Sequence, residues 1–268
     1  MTIRVGILGV GGRMGVELVR ALREQAGAQL VAAIGRRGGR AVGIDSGAFA
    51  GVEPNGVFIS TDLRAALADV DVLIDFSSAH AVGDTADACA AAGVALMVGT
   101  TGLDAGTQQR LDAAAMQVPV LVSANTSVAL NVLLELVQRA ARALPPGYDI
   151  EIFEAHHRHK VDAPSGTALA LGDAAAAGRD QRLPRPAELT GAQPGPRAAG
   201  SIGFSVMRGG DTVGEHDVRF LGEGEQLRLT HVATDRAIFA HGAVAAAIWL
   251  AGRPGGRYKM ADFLFAGQ

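Results

Sequence analysis

The chain has a single cysteine, Cys89, among its 268 residues, so no disulfide can form within it. Aromatic residues account for only 4% of the sequence, whereas hydrophobic residues as a whole account for 49%. A core with so few rings depends on close packing of small side chains and backbone, as α/β folds do. Because Cys89 lies in an Ala-rich stretch, we expect a small buried residue there and not a nucleophile.

A strong excess of charge is also missing, since 24 basic residues face 27 acidic ones and the net charge is −3. This balance argues against nucleic acid or an anionic membrane as the main partner. No stretch reaches the roughly 20 apolar residues of a membrane span. No basic leader precedes the apolar run that starts at Ile3, so we expect no signal peptide and a cytoplasmic location.

Short apolar runs alternate with Ala-rich helical segments through Val122. The predicted strands are 3–8, 30–34, 57–59, 70–75, 94–98 and 118–122, and the predicted helices are 13–26, 63–68, 80–92 and 105–115, with 35–56 mostly loop. Near-continuous apolar strands alternating with helices are typical of a parallel sheet covered on both faces. The first half therefore predicts a Rossmann-type, doubly wound α/β domain.

The pattern changes after Asn125. We predict helices over 127–144, 165–178 and 238–250, strands over 148–155, 202–207, 212–221 and 226–230, and an exposed loop over 179–200. Consecutive strands without intervening helices indicate an open mixed, largely antiparallel sheet in a smaller α+β domain. We place the boundaries at 1–126 plus 238–268 for the first domain and 127–237 for the second.

A glycine-rich turn joins the first strand to the first helix, with glycines at 9, 11, 12 and 15. Such a turn lets a pyrophosphate approach the free N–H groups of a helix N-terminus, and the last glycine allows close helix–strand packing. Arg13 adds a cation for phosphate. A glycine-rich turn without a ligand is the alternative, but its position at the first strand–helix junction of this fold favours dinucleotide binding.

The end of the second strand carries Gly35, Arg36 and Arg37, where an acid would select NADH. Two arginines and no acid predict a preference for NADPH, although both could simply be solvated. Two further turns follow strands at the edge where open sheets bind ligands, and their hydroxyl and amide groups suit the nicotinamide ribose and carboxamide. These turns consist of Gly99, Thr100 and Thr101, and of Ser123, Ala124, Asn125 and Thr126.

Three of the seven histidines, His156, His157 and His159, fall within four residues and precede Lys160. Imidazoles exchange protons near neutral pH, and a lysine supplies positive charge for a carboxylate. A Pro-Ser-Gly-Thr helix entry at residues 164–167 offers free N–H groups beside them. A metal site is the first alternative, but adjacent strand residues point to opposite faces and no further ligands complete a set. The second alternative is a solvated basic loop, and the third is a packing role for His159.

The string Glu-Ala-His-His-Arg-His-Lys at 154–160, with Pro-Ser-Gly-Thr at 164–167, resembles the 4-hydroxy-tetrahydrodipicolinate reductase family of lysine biosynthesis. The glycine turn and the turn at Gly99 fit the same family. The resemblance implies NAD(P)H-dependent reduction of a cyclic imine to tetrahydrodipicolinate, with hydride going to carbon 4 and a proton to carbon 3. Another two-domain dehydrogenase for an amino or oxo acid, or a non-catalytic dinucleotide sensor, are the competing hypotheses.

The resemblance also implies roles for individual residues. It implies His156 and Lys160 as catalytic residues, and His157, Lys160, Ser165, Gly166 and Thr167 as substrate-binding residues. The implied cofactor positions are Gly9, Val10, Gly11, Gly12, Arg13, Met14, Arg36, Gly99, Thr100, Thr101, Ser123, Ala124, Asn125 and Thr126. It further implies a homotetramer that assembles through the second domain. Gly35 and Thr126 depart from the acid and the aromatic residue that many members carry there.

Overall fold

The computed structural model describes residues 2–183 and 196–267, which divide into two compact units. Unit 1 consists of Met1–Val128 and Arg236–Gln268, and unit 2 consists of Ala129–Asp235. The chain thus leaves unit 1 after its fifth strand and returns to it near the end. Most of the loop predicted over 179–200 lies outside the described residues.

Unit 1 is built on a six-stranded, wholly parallel sheet in the order β10-β5-β4-β3-β1-β2. Its strands are β1 (Ile3–Leu8), β2 (Ala28–Ile34), β3 (Val72–Asp75), β4 (Ala95–Val98), β5 (Pro119–Val122) and β10 (Gly256–Tyr258). The central strands are fully buried, as in a sheet with helices on both faces. The order reverses between β1 and β3, which is the point where such sheets bind ligands.

Helices cover both faces of this sheet, and their sequences explain how. In α1 (Arg13–Arg23) the buried residues Leu18, Val19 and Leu22 recur at helical spacing. The others are α2 (Ser46–Phe49), α3 (Leu63–Ala66), α4 (Ala79–Ala92), α5 (Ala105–Ala115), α8 (Ala237–Leu250) and α9 (Met260–Leu264). Because α8 is apolar nearly all round, it packs deep between α1 and the strands β3 and β4.

Unit 2 contains a four-stranded sheet in the order β7-β6-β8-β9. Its elements are α6 (Val128–Ala143), β6 (Asp149–His156), α7 (Gly166–Gly178), β7 (Ile202–Arg208), β8 (Gly214–Leu221) and β9 (Gln226–Ala233). β6 and β7 run parallel, while β8 is antiparallel to both β6 and β9. Alternate residues such as Ile150, Ile152 and Phe220 face α6 and α7 and form the core.

The predicted fold class is confirmed, and the differences are local. The predicted strand at 57–59 is wrong, because Phe58 and Ser60 make only isolated bridges to Asp45 and Ile34. The short elements α2, β10 and α9 were not predicted. The strands β7 and β8 follow each other in sequence but do not pair, because β6 lies between them.

Candidate functional site

The glycine-rich turn has the geometry of a close backbone approach. Gly9 has φ +89°, and a Cβ there would lie 2.4 Å from the carbonyl oxygen of Phe76. A Cβ on Gly15 would lie 2.4 Å from the carbonyl oxygen of Gly9. Only glycine fits at these two positions, so the turn can bend directly from β1 into α1.

The start of α1 is open. Its N-cap is Gly12, which makes no side-chain cap, and Gly11, Gly12 and Arg13 are exposed. The first N–H groups of the helix therefore point toward a surface that an anion can reach. Val10 is buried and its N–H donates to the carbonyl of Ile34. Neither its side chain nor its N–H is therefore available to a cofactor.

The loop after β2 contains three exposed arginines, Arg36, Arg37 and Arg40. No ion pair with any of them is found among the described residues. The loop packs on the glycine turn, since a Cβ on Gly11 would lie 3.4 Å from the Cβ of Ala41. Arg40 was not among the predicted cofactor residues, although its charge and its nearness in sequence to Arg36 and Arg37 were visible.

The carboxyl ends of the central strands lie in one row. Leu8 pairs with Asp75, Asp75 with Val98, and Val98 with Val122. This register brings the turns that follow β1, β4 and β5 to the same edge of the sheet, as predicted from the sequence. The buried Asp75 carboxylate accepts hydrogen bonds there from the Ser77 N–H at 2.8 Å and the Thr100 hydroxyl at 3.2 Å.

Most side chains in the turn after β5 form hydrogen bonds within the protein. Ser123 donates its hydroxyl to the carbonyl of Asn125, and the Asn125 side-chain oxygen accepts the N–H of Ser127. Thr126 is buried and donates its hydroxyl to the carbonyl of Phe239 at 2.5 Å. The hydroxyl of Thr126 is therefore bound within unit 1, and only Ala124 is exposed in this turn. That the residues of this turn contact a cofactor stays a prediction.

In unit 2 a buried network surrounds the end of β6. We call Glu154, His156, Ser165, Arg208 and His216 the Glu154 cluster. His156 Nδ1 lies 2.6 Å from Glu154 Oε2, and Glu154 Oε1 accepts the Ser165 N–H at 2.9 Å. Arg208 donates to both carboxylate oxygens at 2.7 Å. Burial would raise the pKa of Glu154, but the hydrogen bonds from His156, Arg208 and Ser165 lower it to about 2.

His216 is the neutral member of the cluster. Its ring lies 5.1 Å from the ring of His156, and its Nε2 is 3.1 Å from the Ser165 hydroxyl. Burial, together with positive charge at His156, lowers the pKa of His216 to about 3. His216 and Arg208 were not predicted as site residues. A histidine within the apolar strand at 212–221 and an arginine ending the strand at 202–207 were the available signals.

Lys160 follows in the loop after β6, where its N–H donates to the carbonyl of His157. Its Nζ forms an ion pair with Asp162 at 2.9 Å, and its side chain is 22% exposed. Burial raises the pKa of Asp162, but the hydrogen bond and charge of Lys160, a backbone hydrogen bond and the charge of Arg208 together outweigh burial and lower it. The rings of His157 and His159 lie 6.3 Å apart in the same loop. A partly exposed cation whose partner, Asp162, is itself exposed can exchange that partner for a ligand carboxylate.

The start of α7 also bears on the site. Ser165 is the N-cap, and its hydroxyl accepts the N–H of Ala168 at 3.1 Å. Both the N–H and the hydroxyl of Ser165 thus have partners within the protein, and its substrate-binding role stays a prediction. Gly166 is exposed and Thr167 is half-buried, so the helix entry stays accessible at these two residues.

Three further sequence expectations concern the reactivity of Cys89, a metal site and a membrane span. Cys89 is buried, and burial raises the pKa of its thiol, which makes it a poor nucleophile. Within residues 2–183 and 196–267, no group of three or more His, Cys, Asp or Glu residues could hold a metal ion. Over the same residues, no helix combines the length and apolarity needed to span a bilayer.

Comparison with known families accounts for nearly the whole chain. A family model described as dihydrodipicolinate reductase, N-terminus, matches residues 3–126, and the corresponding C-terminus model matches residues 129–264. Together these matches span both the glycine turn and the Glu154 cluster.

Individual relatives agree with the family models. The chain is 50% identical over 266 residues to a 4-hydroxy-tetrahydrodipicolinate reductase from Alkalilimnicola ehrlichii, covering 98% of this chain and 99% of that protein. A second reductase of the same name, from Anaeromyxobacter dehalogenans, is 49% identical over 97% of each chain. A solved dipicolinate-bound dihydrodipicolinate reductase from Paenisporosarcina superposes with a TM-score of 0.77 at 25% identity, covering 98% of this chain and 99% of that one.

Proposed function

Because the chain belongs to the dihydrodipicolinate reductase family, we propose that it converts 4-hydroxy-tetrahydrodipicolinate, which loses water to give dihydrodipicolinate, to tetrahydrodipicolinate by addition of a hydride and a proton. This reaction belongs to the diaminopimelate route of lysine biosynthesis. The observation that carries the assignment is the buried pairing of His156 with Glu154, next to the loop that holds Lys160. A positioned imidazole and a nearby ammonium are what protonation of a small anionic substrate requires.

We place the substrate in the domain formed by residues 127–237. Lys160 and His157 supply charge and hydrogen bonds for its carboxylates, and the N–H groups of Gly166 and Thr167 at the start of α7 supply further donors. The ion pair between Lys160 and Asp162 keeps the ammonium in place until a substrate carboxylate replaces Asp162. The dipicolinate carried by the Paenisporosarcina relative supports a small dicarboxylate as ligand.

We place the cofactor in the domain formed by residues 1–126 and 238–268. The residues present fit a dinucleotide, because the open start of α1 and the exposed Arg13 suit a pyrophosphate. The turns at Gly99 and Ser123 lie along the same edge of the sheet as the glycine turn. When bound, the reduced nicotinamide supplies the hydride that goes to carbon 4 of the substrate.

The cofactor preference follows from the loop after β2. Arg36, Arg37 and Arg40 are exposed and unpaired by acids among the described residues, so they can bind a 2′-phosphate. Gly35 offers no carboxylate for the ribose hydroxyls. We therefore propose a preference for NADPH, with NADH as the poorer donor. The ratio of kcat/KM for the two cofactors tests this, and Arg36→Ala lowers the ratio if the proposal is right.

His156 supplies the proton. Its Nδ1 donates to Glu154, which leaves Nε2 to deliver a proton to carbon 3 of the reduced substrate. The carboxylate of Glu154 stabilises the imidazolium before transfer and fixes the ring orientation. Lys160 stabilises negative charge on the substrate during the same step.

The decisive experiment couples the purified chain to the preceding synthase and follows the loss of NADPH absorbance. We expect His156→Gln and Lys160→Ala to reduce kcat by about 100-fold or more, with NADPH binding preserved. Arg139→Gln serves as the control, because it removes only an exposed ion pair with Glu135 on α6. No NADPH oxidation by the unmodified chain, or near-normal kcat in the His156 variant, would contradict the assignment.

Assembly is a separate proposal. We expect a homotetramer that forms through the second domain, in keeping with the family resemblance. The strands β7 and β9 expose apolar side chains that assembly would cover, namely Val206, Met207, Leu227 and Val232. Light scattering after size exclusion tests this, and a monomer at micromolar concentration would contradict it.

A further inference from the structure

We propose that Arg208 is a positioning residue that acts through Glu154 to set where His156 exchanges its proton and at what pH it does so. The catalytic meaning of this inference rests on the proposed function, whereas its geometry lies wholly within unit 2.

Arg208 and Glu154 form a bidentate contact. Arg208 pairs with His156 in the parallel register of β7 and β6, so its side chain starts beside the imidazole. Nη1 donates to Oε2 of Glu154 and Nη2 to Oε1, both at 2.7 Å. Nη2 also donates to the carbonyl of Asp162 at 2.7 Å, and Nη1 to the carbonyl of Met207. These backbone contacts fix the guanidinium, so it holds the carboxylate in one orientation.

Glu154 Oε2 is shared by two donors, Arg208 Nη1 and His156 Nδ1. The guanidinium keeps the carboxylate ionised, so the proton between Glu154 and His156 stays on Nδ1 of the ring. Proton exchange is then confined to Nε2, where a Cβ on Gly214 would lie only 3.1 Å away. The glycine leaves the space around Nε2 open on that side.

The two charges have opposite effects on the imidazolium. The carboxylate of Glu154 stabilises it, while the guanidinium of Arg208 opposes part of this stabilisation. The other titratable or charged groups nearby are His216, whose ring adjoins that of His156, Lys160 and His231, which act electrostatically on His216, and Asp162, which pairs with Lys160. Of these, His216 is the ring next to His156, and its burial keeps it neutral near pH 7. Glu154 therefore contacts the His156 ring directly, and Arg208 acts on the ring through Glu154.

The test is a pH titration of the imidazole nitrogens in the ligand-free protein, followed by 15N NMR. The His156 signal is assigned by its loss in His156→Gln. We expect Glu154→Gln to move the titration of His156 to lower pH by about one unit. We expect Arg208→Gln to move it by about one unit in the opposite direction. The pH limb of kcat that depends on His156 should move with each titration.

Two further variants complete the experiment. Arg208→Lys keeps the charge but loses the bidentate contact. The titration of His156 should therefore shift in the same direction as in Arg208→Gln, but by less. Arg208→Lys also serves as the folded variant if Arg208→Gln does not fold. The matched control is Arg219→Gln, which removes an ion pair with the buried Asp217 on the same strand, β8, but should leave His156 unchanged.

An unchanged titration in a folded Arg208 variant, or shifts of the same sign for Glu154→Gln and Arg208→Gln, would overturn the proposal. The NMR readout needs no turnover. Failure of the proposed function would instead appear as an unmodified chain that does not oxidise NADPH.

Discussion

The hydroxyl of Thr100 donates to Asp75 at 3.2 Å and thereby joins the carboxyl ends of two neighbouring parallel strands. Asp75 is fully buried, and this burial raises the pKa of its carboxyl. The same oxygen accepts the N–H of Ser77, so one carboxylate shapes the turns after both β3 and β4. These turns lie at the edge where we place the cofactor.

Removal of this carboxylate should loosen both turns. We expect Asp75→Ala to raise KM for NADPH about tenfold with a smaller change in kcat, because roughly one to two hydrogen bonds are lost. Asp75→Asn retains an acceptor oxygen and should have a weaker effect. Steady-state kinetics at saturating substrate measure both, and an unchanged KM in Asp75→Ala would show that the contact does not shape the cofactor site.

Two glycines of the first turn should respond differently to alanine. A Cβ on Gly15 meets backbone atoms of Gly9 and Val10 at 2.4–2.5 Å, so Gly15→Ala should lower the free energy of unfolding by about 1–3 kcal/mol. A Cβ on Gly12 approaches only the Gly9 carbonyl, at 3.3 Å, and otherwise enters open space. Gly12→Ala should therefore fold normally but bind NADPH more weakly. Denaturant unfolding and fluorescence titration separate the two effects, and normal NADPH binding by Gly12→Ala would argue against a pyrophosphate there.

The packing of α8 depends on Gly242. A Cβ at this position would lie 1.8 Å from the carbonyl oxygen of Thr126, so Gly242→Ala forces the helix and the turn after β5 apart. We expect a loss of about 2 kcal/mol or more in the free energy of unfolding. Gly252→Ala is the matched control, since a Cβ there meets nothing within 4 Å. Equal stability of the two variants in chemical denaturation would refute this explanation.

Acid should destabilise the protein through His216. Because its pKa is lowered to about 3 in the folded state, the unfolded chain binds one more proton than the folded chain between about pH 6.5 and that value. The free energy of unfolding should thus be unaffected by His216 above about pH 6.5. Below that pH it should fall by up to about 1.4 kcal/mol per pH unit. His216→Asn should flatten this slope, whereas exposed His80→Asn should not. An unaltered slope in His216→Asn, measured by denaturation at several pH values, would exclude this origin.

The elements that local sequence determines were predicted well. The strands β1, β3 and β4 are short, mostly apolar runs, with Arg4 in β1 and Asp75 at the end of β3 as the charged exceptions, and the structure places them at the centre of the parallel sheet. The strand–helix alternation was sufficient to predict that their carboxyl ends share an edge. By contrast, β10 has only three residues and pairs solely with β5, so its formation depends on the sheet already present.

The contacts across unit 2 could not be read from sequence. Arg208 is 54 residues from Glu154 in the chain, and they meet only because β7 pairs parallel to β6 instead of with β8. Ser165 was predicted to face a substrate because its position in the helix entry was visible, while its use by Ala168 and Glu154 was not. Sequence indicates which groups can do chemistry, whereas strand order decides which of them meet.

The division of unit 1 into two chain segments has a consequence for biosynthesis. On the ribosome, the strands β1 to β5 emerge before α8, which is the buried helix packed against β3 and β4. Unit 2 is continuous in sequence and can complete its own core while those strands still lack part of their cover. The half of the protein in which we place the cofactor is therefore the last to mature, and a nascent chain stalled before Ala237 would present bare apolar sheet to chaperones.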